Sequence, residues 1–187
     1  AVIGRAGVGI DNIDISAATR KGVVVMNTPD ANTISAAEHT MALLLSLSRN
    51  VSYGHQSILS GNWDRHKFIG SELRAKTLGI IGLGKIGREV MQRALGFNMK
   101  ILGFDPYIKE DMLRPDEIEL LDLNDLVGKS DFITIHIPLT NDTKNLFDYE
   151  MLNNMKKEAR IINVARGGII NESDLAKALH EGNIGGA

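Results

Sequence analysis

The chain has 187 residues, 43% of them hydrophobic and 24% charged, which suits one core of ordinary size or one domain plus part of another. Its formal net charge of −2, with no dense basic block, argues against nucleic acid or an anionic membrane surface as partner, and the absence of cysteine excludes disulfides and thiolate metal sites. No apolar run approaches the ~20 residues that span a bilayer and no leader pattern is visible, so a cytoplasmic location is expected.

The first 27 residues hold two short apolar runs, "AVIG" and "VVVMN", separated by the helix-compatible "ISAATRKG". This is one unit of α/β character. Pro29 then punctuates the chain and drives Thr28 to an extended conformation. A long helical pattern follows over residues 33–60, with Ser35 and Glu38 spaced as a capping box near its start. Its middle, "MALLLSLS", is apolar or small nearly all round, as for a helix buried against a domain or a second subunit.

From Thr77 onward strand and helix patterns alternate. The expected strands are "TLGIIG", "KILGF", "IELL", "DFITIHI" and "RIINVA". The expected helices cover 85–96, 123–129, 148–157 and 172–182. The strands are apolar without clean alternation, as in a parallel sheet covered on both faces. The fold class is therefore α/β, a Rossmann-type doubly wound parallel sheet.

"GLGKIG", residues 82–87, is G-x-G-x-x-G between a strand and a helix. An acidic residue is expected at the end of the next strand, ~20 residues on, and Asp105 stands there. Gly82 permits the tight turn, Gly84 admits a pyrophosphate close to the backbone, and Gly87 lets helix and strand pack closely. The helix N-terminus offers free N–H groups and a positive dipole end. Asp105 can accept from ribose hydroxyls and repels a 2′-phosphate, which favours NAD over NADP; the alternative is a turn residue before Pro106. Lys85 reads either as a phosphate neighbour or as a solvated lysine.

A second glycine cluster, "NVARGGII", follows the last expected strand. Arg166 would sit at a strand's carboxyl end, the edge where open α/β sheets bind ligands. From chemistry alone it is either a bidentate carboxylate binder or a solvated loop arginine. None of the five histidines has metal-ligand spacing with another, and no metal is expected. His39 reads as a satisfied core or interface residue of the buried helix, and His55, His66 and His180 as helix-surface or loop residues. His136 reads as a lining residue beside the cofactor turn rather than a base.

The ordered stretches "GRAGVGIDNID", "VVVMNTPDAN", "SAAEHTMALLL", "GNWDRHKFIGSEL", "KTLGIIGLGKIGREV", "GFDPY", "FITIHIPLT" and "NVARGGIINE" cover most of the chain. Together they resemble the D-isomer-specific 2-hydroxyacid dehydrogenases, most closely the members that oxidise 3-phosphoglycerate in serine biosynthesis. The resemblance implies NAD as cofactor, held by Gly82, Gly84, Lys85, Ile86, Gly87 and Asp105, with Ile137 and Pro138 around the adenosine end. Val164, Ala165 and Arg166 would lie under the nicotinamide. Arg166 would be catalytic, gripping the substrate carboxylate. Arg5 and Asn32 would contact substrate, and Trp63, Arg65 and Lys67 would reach toward a neighbouring subunit's site. The helix over 33–60 would form a homodimer.

On this resemblance residues 1–27 are a remnant of a flavodoxin-like substrate domain. Residues 28–187 are an NAD-binding Rossmann domain, truncated at its C-terminal end. The family's catalytic histidine and its glutamate partner belong to segments after Ala187, and no histidine here matches them. The expected behaviour of the chain by itself is weak NAD binding without turnover. Two other readings stay open: a hydroxypyruvate or glyoxylate reductase of the same family, and an NAD-sensing corepressor-like binding protein.

Overall fold

The computed structural model describes residues 1–108 and 116–187. It contains two separate parallel sheets. The smaller pairs β1 (Val2–Gly4) with β2 (Val24–Met26), joined through helix α1 (Ile15–Arg20). The larger has five strands: β3 (Thr77–Ile81), β4 (Lys100–Phe104), β5 (Glu119–Leu120), β6 (Phe132–Ile135) and β7 (Arg160–Asn163). Their spatial order is β5-β4-β3-β6-β7, every pair parallel. The chain runs outward from β3 in one direction, then returns to β3's other side with β6. The topological switch therefore lies between β3 and β6, and all carboxyl ends share one edge. In such sheets the crevice at that edge holds the ligand.

Helices cover both faces. On one lie α2 (Thr33–Ser48) and α4 (Lys85–Gly96), whose Ala37, Met41, Leu44, Val90, Met91 and Ala94 join Leu78, Ile80 and Ile162 of the sheet in one core. On the other lie α5 (Leu123–Lys129), α6 (Tyr149–Asn153) and α7 (Glu172–His180), packed over Ile81, Ile133, Ile135 and Ile161. The three- and four-residue spacing of Ala37, Thr40, Met41, Leu44 and Ser48 makes one face of α2, and this face is buried. Thr40 and Ser48 satisfy their hydroxyls on backbone carbonyls one turn back, so their burial leaves no orphan group.

Most expected elements stand where the sequence puts them, with three corrections. The helix expected over 33–60 is two helices, α2 and α3 (Val51–Leu59). Asn50 between them adopts φ 54°, a left-handed conformation that ends one helix and that asparagine tolerates better than most residues. Ser35 does not cap: the helix begins at Thr33 with Asn32 as N-cap, and the Ser35 hydroxyl donates back to the Asn32 carbonyl at 3.1 Å. The helix expected over 148–157 is shorter, Tyr149–Asn153, and starts where the Asp148 carboxylate accepts from Met151 N–H. Among the described residues no helix is long and apolar enough to cross a membrane.

Candidate functional site

The glycine turn leaves β3 at Ile81. Gly82 takes φ +92°, and any Cβ there would stand 2.7 Å from the His136 carbonyl oxygen at the end of β6. Only glycine satisfies both conditions. At Gly87 a Cβ would run into the Gly82 carbonyl oxygen, so its absence sets how closely α4 approaches β3. Gly84 differs: nothing lies within 4 Å of the position a Cβ would take. The backbone here faces open space.

Gly84 is also the N-cap of α4, with no side chain capping the helix. The first-turn N–H groups lack intrahelical carbonyls, and the dipole's positive end points the same way. An uncapped helix start beside an open glycine fits a phosphate group.

Asp105 ends β4, next to this turn. Its Oδ2 accepts from Leu83 N–H at 2.8 Å and its Oδ1 accepts from Tyr107 N–H at 2.9 Å. The carboxylate therefore holds the loop that it borders, and each oxygen keeps acceptor capacity for a ribose hydroxyl. Arg88 closes the loop from the helix side, its Nε donating to the Leu83 carbonyl at 2.9 Å. Lys85 points to a partner: its ammonium pairs with Asp30 at 2.5 Å. Ile86 packs partly buried against the α2–α4 core.

At the end of β7, Asn163 pins the next turn. Its side-chain oxygen accepts from Ala165 N–H at 3.0 Å and its amide donates to the Arg166 carbonyl at 2.8 Å. Arg166 Nε donates to Asp11 at 2.7 Å, and Nη1 donates to the Ala165 carbonyl at 2.8 Å. Arg166 is thus brought to the common carboxyl edge and held by a residue 155 positions earlier. Ile137 lies against Gly82, and the Pro138 carbonyl accepts from the Thr143 hydroxyl at 2.7 Å.

The remaining expected residues make other contacts. Arg5 Nε donates to the Gly9 carbonyl at 3.1 Å. Trp63 is 78% exposed, and Arg65 and Lys67 lie on a 3-10 turn, Arg65–Phe68. Lys67 pairs with Asp64 at 2.6 Å and Arg65 Nε meets His66 Nε2 at 3.4 Å; neither bond joins the turn to Arg166 or the glycine loop. Sequence reasoning missed Asp11, Asp30 and Asn163. Asp11 lies in the glycine-rich loop after β1, and no spacing rule ties it to Arg166.

His136 stands beside this turn. Its N–H donates to the Ile81 carbonyl at 2.7 Å and its Nε2 meets the buried Thr134 hydroxyl at 2.9 Å. Burial penalises the imidazolium and pushes its pKa down to about 4. The ring is neutral at physiological pH and is a weak base.

Residues 41–187 match the family model of the D-isomer specific 2-hydroxyacid dehydrogenase, NAD binding domain. The chain is 52% identical over 184 residues to D-3-phosphoglycerate dehydrogenase of Methanocaldococcus jannaschii, covering 98% of the chain and 35% of that protein. It is 50% identical over 188 residues to the protein of the same name from Synechocystis, covering 100% of the chain and 34% of that protein. It thus spans about a third of the length of these relatives. A solved NAD-dependent formate dehydrogenase from Staphylococcus aureus, in complex with NAD, superposes with a TM-score of 0.91 at 37% identity, covering 99% of this chain and 56% of that one.

The depressed His136 pKa ties stability to pH. Between its folded value of about 4 and its ordinary 6.5, the unfolded chain binds more protons than the folded one. The contribution is complete above pH ~6.5 and is lost as pH falls toward ~4. Urea unfolding at pH 7 and at pH 5 should therefore show a loss that His136→Asn reduces by roughly 1–3 kcal/mol. An identical pH dependence in the variant would contradict the assignment.

Proposed function

The chain belongs to the D-isomer specific 2-hydroxyacid dehydrogenases, through their NAD binding domain, and on that premise we propose that its parent protein oxidises 3-phosphoglycerate at C2. The products are 3-phosphohydroxypyruvate and NADH, a step of serine biosynthesis. The observation that carries the reading is the identity of about half, across nearly the whole chain, to proteins named for this activity.

Bound NAD supplies the hydride acceptor. The glycine turn and the start of α4 hold its pyrophosphate, and Asp105 accepts from the ribose hydroxyls. Ile137 and Pro138 flank the adenosine end, and the turn Val164–Arg166 underlies the nicotinamide. Arg166 grips the substrate carboxylate and so fixes C2 for transfer, an orientation effect. Arg5, Asn32, Trp63, Arg65 and Lys67 add substrate contacts in the assembled parent. Residues 1–27 belong to a substrate domain; their separate two-stranded sheet supports this. Lys85 exchanges Asp30 for phosphate when the cofactor is bound.

A general base contributes about 10²- to 10⁴-fold to such a step. His136, with its pKa of about 4, is too weak a base for this role. A histidine–glutamate pair from the rest of a longer protein completes the mechanism.

The proposed assembly is a homodimer, and the proposed location is the cytoplasm. Helix α3 buries none of its residues in the single chain, although it carries Val51, Tyr53, Ile58 and Leu59, each more than half exposed. An apolar helix without a buried face calls for a partner. The two-fold contact runs through α3 and the outer side of α2, where Leu43 is 40% exposed.

Turnover, cofactor binding and sedimentation test these readings. The full-length protein should form NADH from 3-phosphoglycerate, with NAD bound at least tenfold (~1.4 kcal/mol) more tightly than NADP. The 187-residue chain should bind NAD and form no NADH; turnover within about a hundredfold of the parent would make His136 the working base. Reduction of hydroxypyruvate or glyoxylate in preference to 3-phosphohydroxypyruvate would assign a reductase instead. Tight NAD binding without turnover of any 2-hydroxy acid would assign an NAD-sensing binding protein. Sedimentation at tens of micromolar should show a dimer that Ile58→Asp dissociates, whereas a monomer at every concentration would remove the proposed contact.

A further inference from the structure

Arg166 is gripped by the N-terminal segment as well as by its own turn. The loop after β1 is fixed by three bonds: Arg5 Nε to the Gly9 carbonyl at 3.1 Å, Asn27 Nδ2 to the Val8 carbonyl at 2.9 Å, and Thr28 N–H to the Gly7 carbonyl at 3.1 Å. This loop presents Gly9 and Asp11 to Arg166. At Gly9 a Cβ would run into Arg166 Nη2, so the guanidinium lies directly against the Gly9 backbone. Asp11 Oδ2 takes the Nε–H at 2.7 Å and the Ala165 carbonyl takes one Nη1–H at 2.8 Å.

A guanidinium has five N–H donors in a planar fork. Two are spent on Asp11 and Ala165, and neither bond uses Nη2. The end formed by Nη1 and Nη2 keeps donors for a planar carboxylate in the bidentate mode. Fixing Nε from one side and Nη1 from the other sets the plane of the fork. At 39% and 64% side-chain exposure, the Arg166–Asp11 pair adds little to fold stability, and surface pairs of this kind are seldom kept rigid by their attraction alone. The buttress at Gly9 and the anchored loop supply that rigidity.

We propose that Asp11 is a positioning residue, which with Gly9 sets the plane of the Arg166 guanidinium so that its Nη1–Nη2 end meets the substrate carboxylate. The inference rests on the reading of Arg166 as the carboxylate-binding group. It makes the segment Arg5–Asp11 a determinant of orientation, and it gives Arg5 an indirect role, through the Gly9 carbonyl.

Charge alone permits the opposite relation, with the Asp11 carboxylate occupying the arginine in place of a substrate carboxylate. The two differ in sign. In the full-length protein, Asp11→Ala should lower kcat/KM for 3-phosphoglycerate roughly 10- to 100-fold, with the dissociation constant for NAD changed less than about twofold. Asp11→Asn, which keeps an acceptor for Nε–H without the charge, should recover most of the loss. The Arg166 Nε–H resonance should be protected from exchange in the unsubstituted protein and in Asp11→Asn, and unprotected in Asp11→Ala. A lower KM in Asp11→Ala, unchanged kcat/KM, or failure of Asp11→Asn to recover activity would overturn the proposal. Should the unsubstituted protein turn over no 2-hydroxy acid, the activity reading fails by itself. Calorimetric titration with oxalate in the presence of NADH then decides: weaker binding in Asp11→Ala supports positioning, and equal or tighter binding overturns it.

Discussion

The site depends on one close approach, that of α4 to β3. The Gly82 carbonyl oxygen occupies the space that a side chain at Gly87 would need, and the His136 carbonyl crowds Gly82 from the other side. A helix can begin this near a strand end only where both positions lack a Cβ. Once it does, the uncapped start of α4 lies at the carboxyl edge, next to the β3–β6 switch point. Asp105 then reaches Leu83 N–H from the neighbouring strand, and Arg88 reaches the Leu83 carbonyl from the helix. The loop is held on three sides while its outer face, at Gly84, stays open. Asp105, the acidic residue after β4, thus shapes the loop that it borders.

Two ion pairs join the first 30 residues to this edge, Asp11 with Arg166 and Asp30 with Lys85. Both are partly exposed and contribute little to stability, of the order of 0–1 kcal/mol each. Their consequence is geometric. They bring the loop after β1 and the segment after β2 against Arg166 and the glycine turn, respectively.

Much of this was legible in the sequence because it follows from local rules. The five core strands and α4 come from apolar runs and glycine punctuation, and the spacing from Gly82 to Asp105 fixes a β-α-β unit with few alternatives. The break at Asn50 was not legible. The apolar pattern continues through it, and one residue in the left-handed region leaves no mark in periodicity. Its consequence is large, because α3 becomes a separate, unburied apolar helix. The partners of Arg166 and Lys85 were hidden for a different reason. A contact across 155 residues of chain depends on how the two sheets sit together, and no spacing rule carries that. His136 falls between the two cases: its place at a strand end was readable, while its depressed pKa required the burial that only the packed structure supplies.

The open face at Gly84 has the place and the room to admit a dinucleotide phosphate. Replacing Gly84 by valine tests it most directly, since its φ of −67° is ordinary and no atom lies within 4 Å of the new Cβ. The fold should tolerate the change. Calorimetric titration of NAD into Gly84→Val should show affinity reduced by at least about tenfold, ~1.4 kcal/mol, with the unfolding midpoint nearly unchanged. Undiminished NAD binding in a variant of native stability would contradict the account, because the phosphate would then have to sit elsewhere.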